Sequence, residues 1–392
     1  MPVINRIAEF HSDMMAWRHD LHAHPEMAFN EHRTADFVAK TLASFGIAVE
    51  RGLAGTGIVG TLRCGGGTRA IALRADMDAL PIHEKTLCGH ASTHEGIMHA
   101  CGHDGHTTML LGAARYLAET QKFDGTVHFV FQPAEENECG GQAMVEAGLF
   151  RRFPVEAVYG MHNWPGVPVG EFAVRSGPIM AADDKFEITI VSRGAHAAMP
   201  HLGDDPIVAA GALIGAIQTI VSRSLDPQDE AVVSLTQLHG GNTWNVIPEE
   251  VVLRGTCRYF KPQLRGVLDA ALRRICNGVA ALHGVTIDFA YQKPIPPAVN
   301  AAAPTEIAAR AAALVAGETK VHRDLLPSMG CEDFAFMLAA KPGCYIWIGN
   351  GPMTDGRSLH SARYDFNDEI LPLGASYWAT LVETVLGCMQ KP

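Results

Sequence analysis

Apolar residues near the start of the chain recur at steps of three and four, as Ile4, Ile7, Phe10, Met14, Trp17 and Leu21. That spacing predicts an amphipathic helix, and Pro25 marks where it must have ended. A second helix is expected over about 31–45, closed by Gly46. Runs rich in aliphatic and β-branched residues then predict strands at 57–62 and 70–74. A helix at 107–118, a strand at 126–131, a helix at 139–149 and a strand at 155–160 continue the series. Strands alternating with helices predict an α/β domain on a mostly parallel sheet, with helices on both faces.

From about 184 the rhythm changes: Phe186, Ile188 and Ile190 alternate with polar neighbours, and a helix at 206–222 is built on Ile207, Ala210, Leu213, Ile214, Ile217 and Val221. Strands at 231–238 and 250–258, a helix at 262–283 and a strand at 285–291 complete a β-α-β-β-α-β order, the ferredoxin-like motif. The Pro-rich stretch 293–297 reads as its exit. Residues 184–293 are therefore expected to form an inserted domain. Residues 1–183 and 294–392 form one discontinuous α/β domain, which resumes with helices at 304–316 and 332–340, a strand at 344–348 and a helix at 370–387.

Composition removes several classes of function. With 392 residues the chain can bury a sizeable core, and 47% hydrophobic against 19% charged residues excludes disorder. A net charge of −11 without a Lys/Arg-rich run offers a nucleic acid no electrostatic footprint. Arg6, Glu9 and His11 interrupt any secretion signal, and no apolar run approaches the ~18 residues of a membrane span. Nine cysteines, an odd number without a C-x-x-C, do not resemble the framework of an exported domain. The expectation is a soluble protein of the reducing cytoplasm with no nucleic-acid or membrane partner.

The 19 histidines change the picture because they bunch at 19–24, 90–106 and 196–201. The segment Met98-His-Ala-Cys-Gly-His-Asp-Gly-His106 holds a thiol, three imidazoles and a carboxylate just before a helix. Cys101 and His103 are its best candidate ligands, since thiolate and neutral imidazole suit zinc-like ions and Gly102 and Gly105 let the backbone turn. The strand 126–131 runs into Glu135 and Glu136, placing two acids at the carboxyl end of a sheet strand, where open α/β sheets put their sites. One acid could ligate a metal while the other takes a proton; a solvated helix start would explain them equally well. His162 follows another strand, and His360 lies in a loop. Asp76 and Asp78 close a strand and could orient ligand imidazoles. In the insertion, His196 could donate to a substrate oxygen. Asn245 and Arg258 flank its third strand, where Arg258 is either a carboxylate clamp or one half of a surface ion pair.

Taken together, Arg18-His-Asp-Leu-His-Ala-His-Pro-Glu26, Leu73-Arg-Ala-Asp-Met-Asp-Ala-Leu80, the 98–106 segment, Gln132-Pro-Ala-Glu-Glu136, Gly160-Met-His162, Gly194-Ala-His196, Asn245-Val-Ile-Pro248 and Leu359-His360-Ser361 resemble the M20 metallopeptidase family. The resemblance is to its amidohydrolase branch, which includes hippurate hydrolases, aminoacylases and indole-acetyl-amino-acid hydrolases. It implies that Cys101, His103, Glu136, His162 and His360 bind two divalent ions per subunit, zinc or manganese first, with cobalt and nickel also compatible. Glu135 would be the general base, His196 would reach the active site of a partner subunit, and the insertion would serve as lid and dimerisation domain in a homodimer or dimer-based tetramer.

The sequence also departs from the family. Other branches have His-x-Asp where this chain has Arg74-Ala-Asp76, Gly330-Cys-Glu-Asp-Phe334 replaces a common Gly-Ser-Glu-Asp-Phe, and Ala362 stands where Pro is frequent. The expected reaction is hydrolysis of a small N-acyl amino acid, with Asn245 and Arg258 holding the oxyanion region or the substrate carboxylate. A dipeptidase or carboxypeptidase of the same family is the main alternative. A thiol amidase using Cys101, or a non-catalytic metal-binding protein, would belong to other classes.

Overall fold

Why the strands read as continuous apolar runs is visible in Ala70–Asp76: Ile71, Leu73 and Ala75 enter one core, while Ala72, Arg74 and Asp76 are buried on the opposite side. The computed structural model describes residues 3–136, 139–354 and 358–387. Among them, eight strands form one sheet in the order Ala48–Leu53, Gly57–Cys64, Gly125–Gln132, Ala70–Asp76, Ala157–Pro165, Gly343–Gly351, Phe172–Ala173, Val321–His322. Its four middle strands, from Gly125–Gln132 to Gly343–Gly351, run parallel. The first two junctions are antiparallel. Helices His103–Thr120, Ala302–Ala316 and Leu371–Val385 bury their apolar residues against one face. On the other, the Phe334 ring meets Tyr345 and Arg74 from the sheet, just ahead of helix Ala335–Ala340.

The chain divides into two compact units, Met1–Ile179 with Val299–Leu326 and Asp333–Pro392, and Met180–Ala298 with Pro327–Glu332. The limits at 183/184 and 293/294 expected from the sequence thus fall inside the second unit. Ile295 pairs with Asp183, so the Pro-rich stretch begins as strand rather than linker. Residues 327–332 join this unit because the Ala181 amide lies against the Ser328 and Gly330 carbonyls. The unit carries an antiparallel sheet, ordered Ala231–Gly240, Glu250–Tyr259, Asp183–Val191, Thr286–Ile295. Phe186, Ile188 and Ile190 form a core with helices Pro206–Ile217 and Leu264–His283. Lys185 and Glu187 alternate out of that core, the signature of a sheet covered on one face.

Several boundaries differ from expectation. The first helix is two, Asn5–Ala8 and His11–Ala23, although Ile7, Phe10 and Met14 still share one core and Leu21 is buried. Strand Ala48–Leu53 escaped the pattern because, at a sheet edge, only Leu53 of Ala-Val-Glu-Arg-Gly-Leu is buried. Helix His103–Thr120 begins four residues before the expected start, with Gly102 at φ +89° turning the chain into it. The strand expected to stop at Gly160 continues to Pro165, so His162 lies within a strand rather than beyond its exit.

Candidate metal centre and active site

The carboxyl ends of the parallel strands bring Asp76, Asp78, Glu135, Glu136 and His162 together with the start of helix His103–Thr120. Ligand atoms of Cys101, His103 and His162 lie within 4.8 Å of one another, as do those of Cys101, Glu136 and His360 and those of His103, Glu135 and Glu136. The Cys101 Sγ is 3.4 Å from His162 Nε2, and His360 Nε2 is 3.2 Å from Glu136 Oε2. All five residues singled out as ligands are thus gathered in the first unit, with Glu135 beside them. His360, at φ +61° with its amide donating to the Ala100 carbonyl at 2.8 Å, is the most exposed of the five.

Partners on the far nitrogen sort the imidazoles. His162 Nδ1 donates to the Asn163 carbonyl at 2.5 Å, leaving Nε2 toward Cys101. His103 Nδ1 donates to Asp78 Oδ1 at 3.2 Å, and its buried Nε2 has no hydrogen-bond partner among the described residues. His106 has both nitrogens in use: Nδ1 donates to Asp76 Oδ1 at 2.6 Å and Nε2 accepts the Asn163 amide at 2.9 Å. It is a structural brace. His99 is buried, and burial pulls its pKa down to about 4. A carboxylate or carbonyl on one nitrogen fixes the tautomer and aims the other, which is how metal-ligating histidines are held.

The electrostatics call for a cation. Burial, then Glu136, Glu135 and Asp76, push the Cys101 thiol well above its usual range. Burial opposes charge on His103, but Asp76, Asp78 and Glu136 outweigh it and raise its pKa to about 10. Burial keeps His162 neutral, well below the ordinary imidazole value. Three acids and a thiol therefore surround buried orphan atoms, His103 Nε2 and Glu136 Oε1, which face each other at 3.8 Å, too far for a hydrogen bond. The donor set of thiol, imidazole and carboxylate suits borderline divalent ions, so the residues present fit such a group.

Beneath the cage, Arg74 is fully enclosed by Asp76 at 2.6 Å, Gln132 at 2.8 Å and Asp333 at 3.2 Å. Asp333 in turn donates its amide to Glu135 Oε1 at 3.3 Å. Asn163 binds the Cys101 carbonyl at 2.6 Å and accepts from Tyr364 at 2.8 Å. Neither Asp333 nor Asn163 was singled out from the sequence. Asn163 directly follows a candidate ligand, which was its one available signal.

The second unit holds the remaining candidates. His196 and Asn245 are exposed neighbours on a short antiparallel pair, where His196 is opposite Val246 and the Ala197 amide donates to the Asn245 carbonyl at 2.9 Å. His196 Nδ1 accepts the Ala198 amide at 3.1 Å, which leaves the proton on Nε2 as a donor. Arg258 sits on a different strand and pairs with Asp183, so the ion-pair reading describes it in this structure.

A fold with its donors at the carboxyl ends of parallel strands, and a second carboxylate beside a thiol-imidazole-carboxylate cage, defines a metallohydrolase. Residues 72–384 match the model of peptidase family M20/M25/M40. The chain belongs to that family. It is 38% identical over 381 residues to a hippurate hydrolase of Campylobacter jejuni, covering 97% of this chain and 98% of the relative. It is also 38% identical over 380 residues to an N-acetylcysteine deacetylase of Bacillus subtilis, covering 96% and 98%. The crystal structure of the Bacillus subtilis YXEP protein, described as a dinuclear metal-binding peptidase of the M20 family, superimposes with a TM-score of 0.84 at 35% identity, covering 97% of this chain and 99% of that one.

Proposed function

We propose that the protein is a metal-dependent amidohydrolase that cleaves N-acyl amino acids into a carboxylic acid and an amino acid. The observation that carries this reading is the membership of Cys101 in two donor triplets, one with His103 and His162 and one with Glu136 and His360. Cys101, His103, Glu136, His162 and His360 would hold two divalent ions, zinc or manganese first and cobalt or nickel next. When bound, such ions supply Lewis acidity to a water molecule and to the substrate carbonyl.

The chain's own residues account for the rest. The Glu135 carboxylate accepts the proton of the attacking water and returns it to the departing amine nitrogen, which needs a base that is not itself a ligand. His196 donates Nε2–H to the oxygen that gains charge as the carbonyl is attacked. In this reading it serves the partner subunit of a homodimer or dimer-based tetramer. Asn245 supports the same oxygen. Arg258 clamps the substrate carboxylate only if it exchanges Asp183 for it. A cytoplasmic setting belongs to the reading, because a cysteine ligand must stay reduced.

The two named relatives favour acyl amino acids over the dipeptidase and carboxypeptidase alternatives. The Cys101 thiol amidase loses support from the acids that hold the thiol protonated, since a nucleophilic cysteine needs the opposite environment. The test is a panel of hippurate, N-acetyl amino acids, indole-acetyl conjugates and dipeptides, assayed after chelation and after return of each metal. Metal-dependent turnover of acyl amino acids is expected; turnover that survives complete chelation would overturn the proposal.

A further inference from the structure

The turn 133–136 presents Glu135 and Glu136 side by side, yet two different buried acids hold its two halves. The Glu136 amide donates to Asp78 Oδ2 at 3.0 Å. The Ala134 amide donates to Glu31 Oε1 at 2.9 Å. Glu31 is fully buried and lies more than a hundred positions earlier, at the N-terminal end of helix His32–Ser44. It also accepts the Phe29 amide at 3.1 Å and the Thr56 hydroxyl at 2.5 Å. Ala134 is at φ +56°, a left-handed conformation that a Cβ disfavours. Its carbonyl is bound by the Gly140 amide at 2.9 Å, so the residue just before Glu135 is tied at both polar groups. Strained backbone of this kind persists only where its surroundings hold it, and it gathers at functional sites.

We propose that Glu31 is the positioning residue for the base: by capturing the Ala134 amide it sets the direction in which Glu135 leaves the turn, while Asp78 does the same for Glu136. The inference rests on the assignment of Glu135 as base. It makes reach, not charge, the property of Glu31 that matters. A glutamine can accept both amides through its Oε1 and donate its Nε2–H to Thr56, whose hydroxyl rotates to accept. An aspartate keeps the charge but is one methylene short.

The experiment compares E31Q, E31D, E31A and E135Q as metal-loaded enzymes on one N-acyl amino acid, with bound metal counted for each. E31Q is expected to stay within about threefold of the parent kcat. E31D and E31A should lose roughly 10- to 100-fold in kcat, the scale of a small misplacement of a catalytic group, with KM and metal content unchanged. Should E31A fail to fold, the order of E31Q and E31D decides alone. Aspartate outperforming glutamine, full activity in E31D, or metal lost in step with activity would each overturn the proposal. An active E135Q would overturn the base assignment, and this inference with it; an inactive E135Q beside a fully active E31D would overturn only the role of Glu31.

Discussion

His103 in the first unit and His196 in the second are the same residue in opposite surroundings. The His103 ring is buried, with Asp78 on one nitrogen and a second nitrogen that has no hydrogen-bond partner among the described residues and lies 3.8 Å from Glu136. The His196 ring is exposed and is held through a single local bond to the Ala198 amide. Burial with one fixed partner pre-sets orientation and tautomer before any ligand arrives, so the cage is organised in advance. An exposed ring keeps its rotamer freedom, and its contribution depends on what it meets. The ligand role proposed for His103 is therefore prepared by local packing, whereas the donor role proposed for His196 is not.

The sharpest way to test the division of labour within the cage is E135Q, which keeps shape and removes the base. The expected loss is about 10²- to 10⁴-fold in kcat, the usual worth of a positioned general base, with metal content intact by elemental analysis. Loss of metal instead would show that Glu135 is a ligand and that the two acids share one role.

H196A removes an exposed side chain, so folding stability should shift by no more than about 0.5 kcal/mol. Turnover should nevertheless drop roughly 10²- to 10³-fold, the cost of one oxyanion donor, with metals still bound. Mixing H196A with E135Q protein should restore part of the activity through hybrid dimers. Absence of recovery would place His196 in its own subunit's site, and unchanged turnover in H196A would remove it from the mechanism.

Asp78→Asn probes the orientation of the buried ring. The substitution leaves one acceptor for either His103 or the Glu136 amide, where the carboxylate serves both. Metal affinity is expected to fall about 10- to 100-fold, as for other carboxylates behind a ligating histidine. Competition with a chromophoric chelator measures it, and unchanged affinity would mean that the ring is held by packing alone.

Which of these residues were legible beforehand follows from how local each signal is. Cys101 and His103 are two positions apart, and Glu135 and Glu136 adjoin at a strand end, so residue type and strand alternation sufficed to mark them. His360 in a loop was one isolated histidine; only the joint resemblance raised it. What the sequence does not reveal is why the two rings differ: His106 Nε2 accepts the Asn163 amide across 57 positions, whereas His103 Nε2 has no hydrogen-bond partner among the described residues. Glu31, Asp333 and Arg74 owe their placement to long-range bonds between buried side chains, which no periodicity encodes. The polar edge strand Ala48–Leu53 was hidden because apolar alternation fails where neither face is well covered.

The smallest expected effect concerns stability of the cage's outer wall. His22 Nδ1 meets Asp104 Oδ2 at 2.8 Å in a fully buried pair, with Glu84 3.4 Å from its other nitrogen. Burial opposes the charge, but the Asp104 hydrogen bond and charge, with Glu84, raise the His22 pKa to about 9. A group whose folded pKa lies above its unfolded value of about 6.5 contributes stability that is complete below that pH and is lost as pH rises through about 9. The contribution is on the order of 1–3 kcal/mol. Thermal unfolding of the parent chain should therefore lose stability between about pH 6.5 and 9, and His22→Gln should flatten that slope while lying below the parent at pH 6. Among the described residues, the short strand pair beside His196 and Asn245 contains no comparable buried ion pair, so H196A should track the parent curve across the same range. A parent profile that does not fall over this window would show that His22 is not held protonated beside Asp104 in the folded protein.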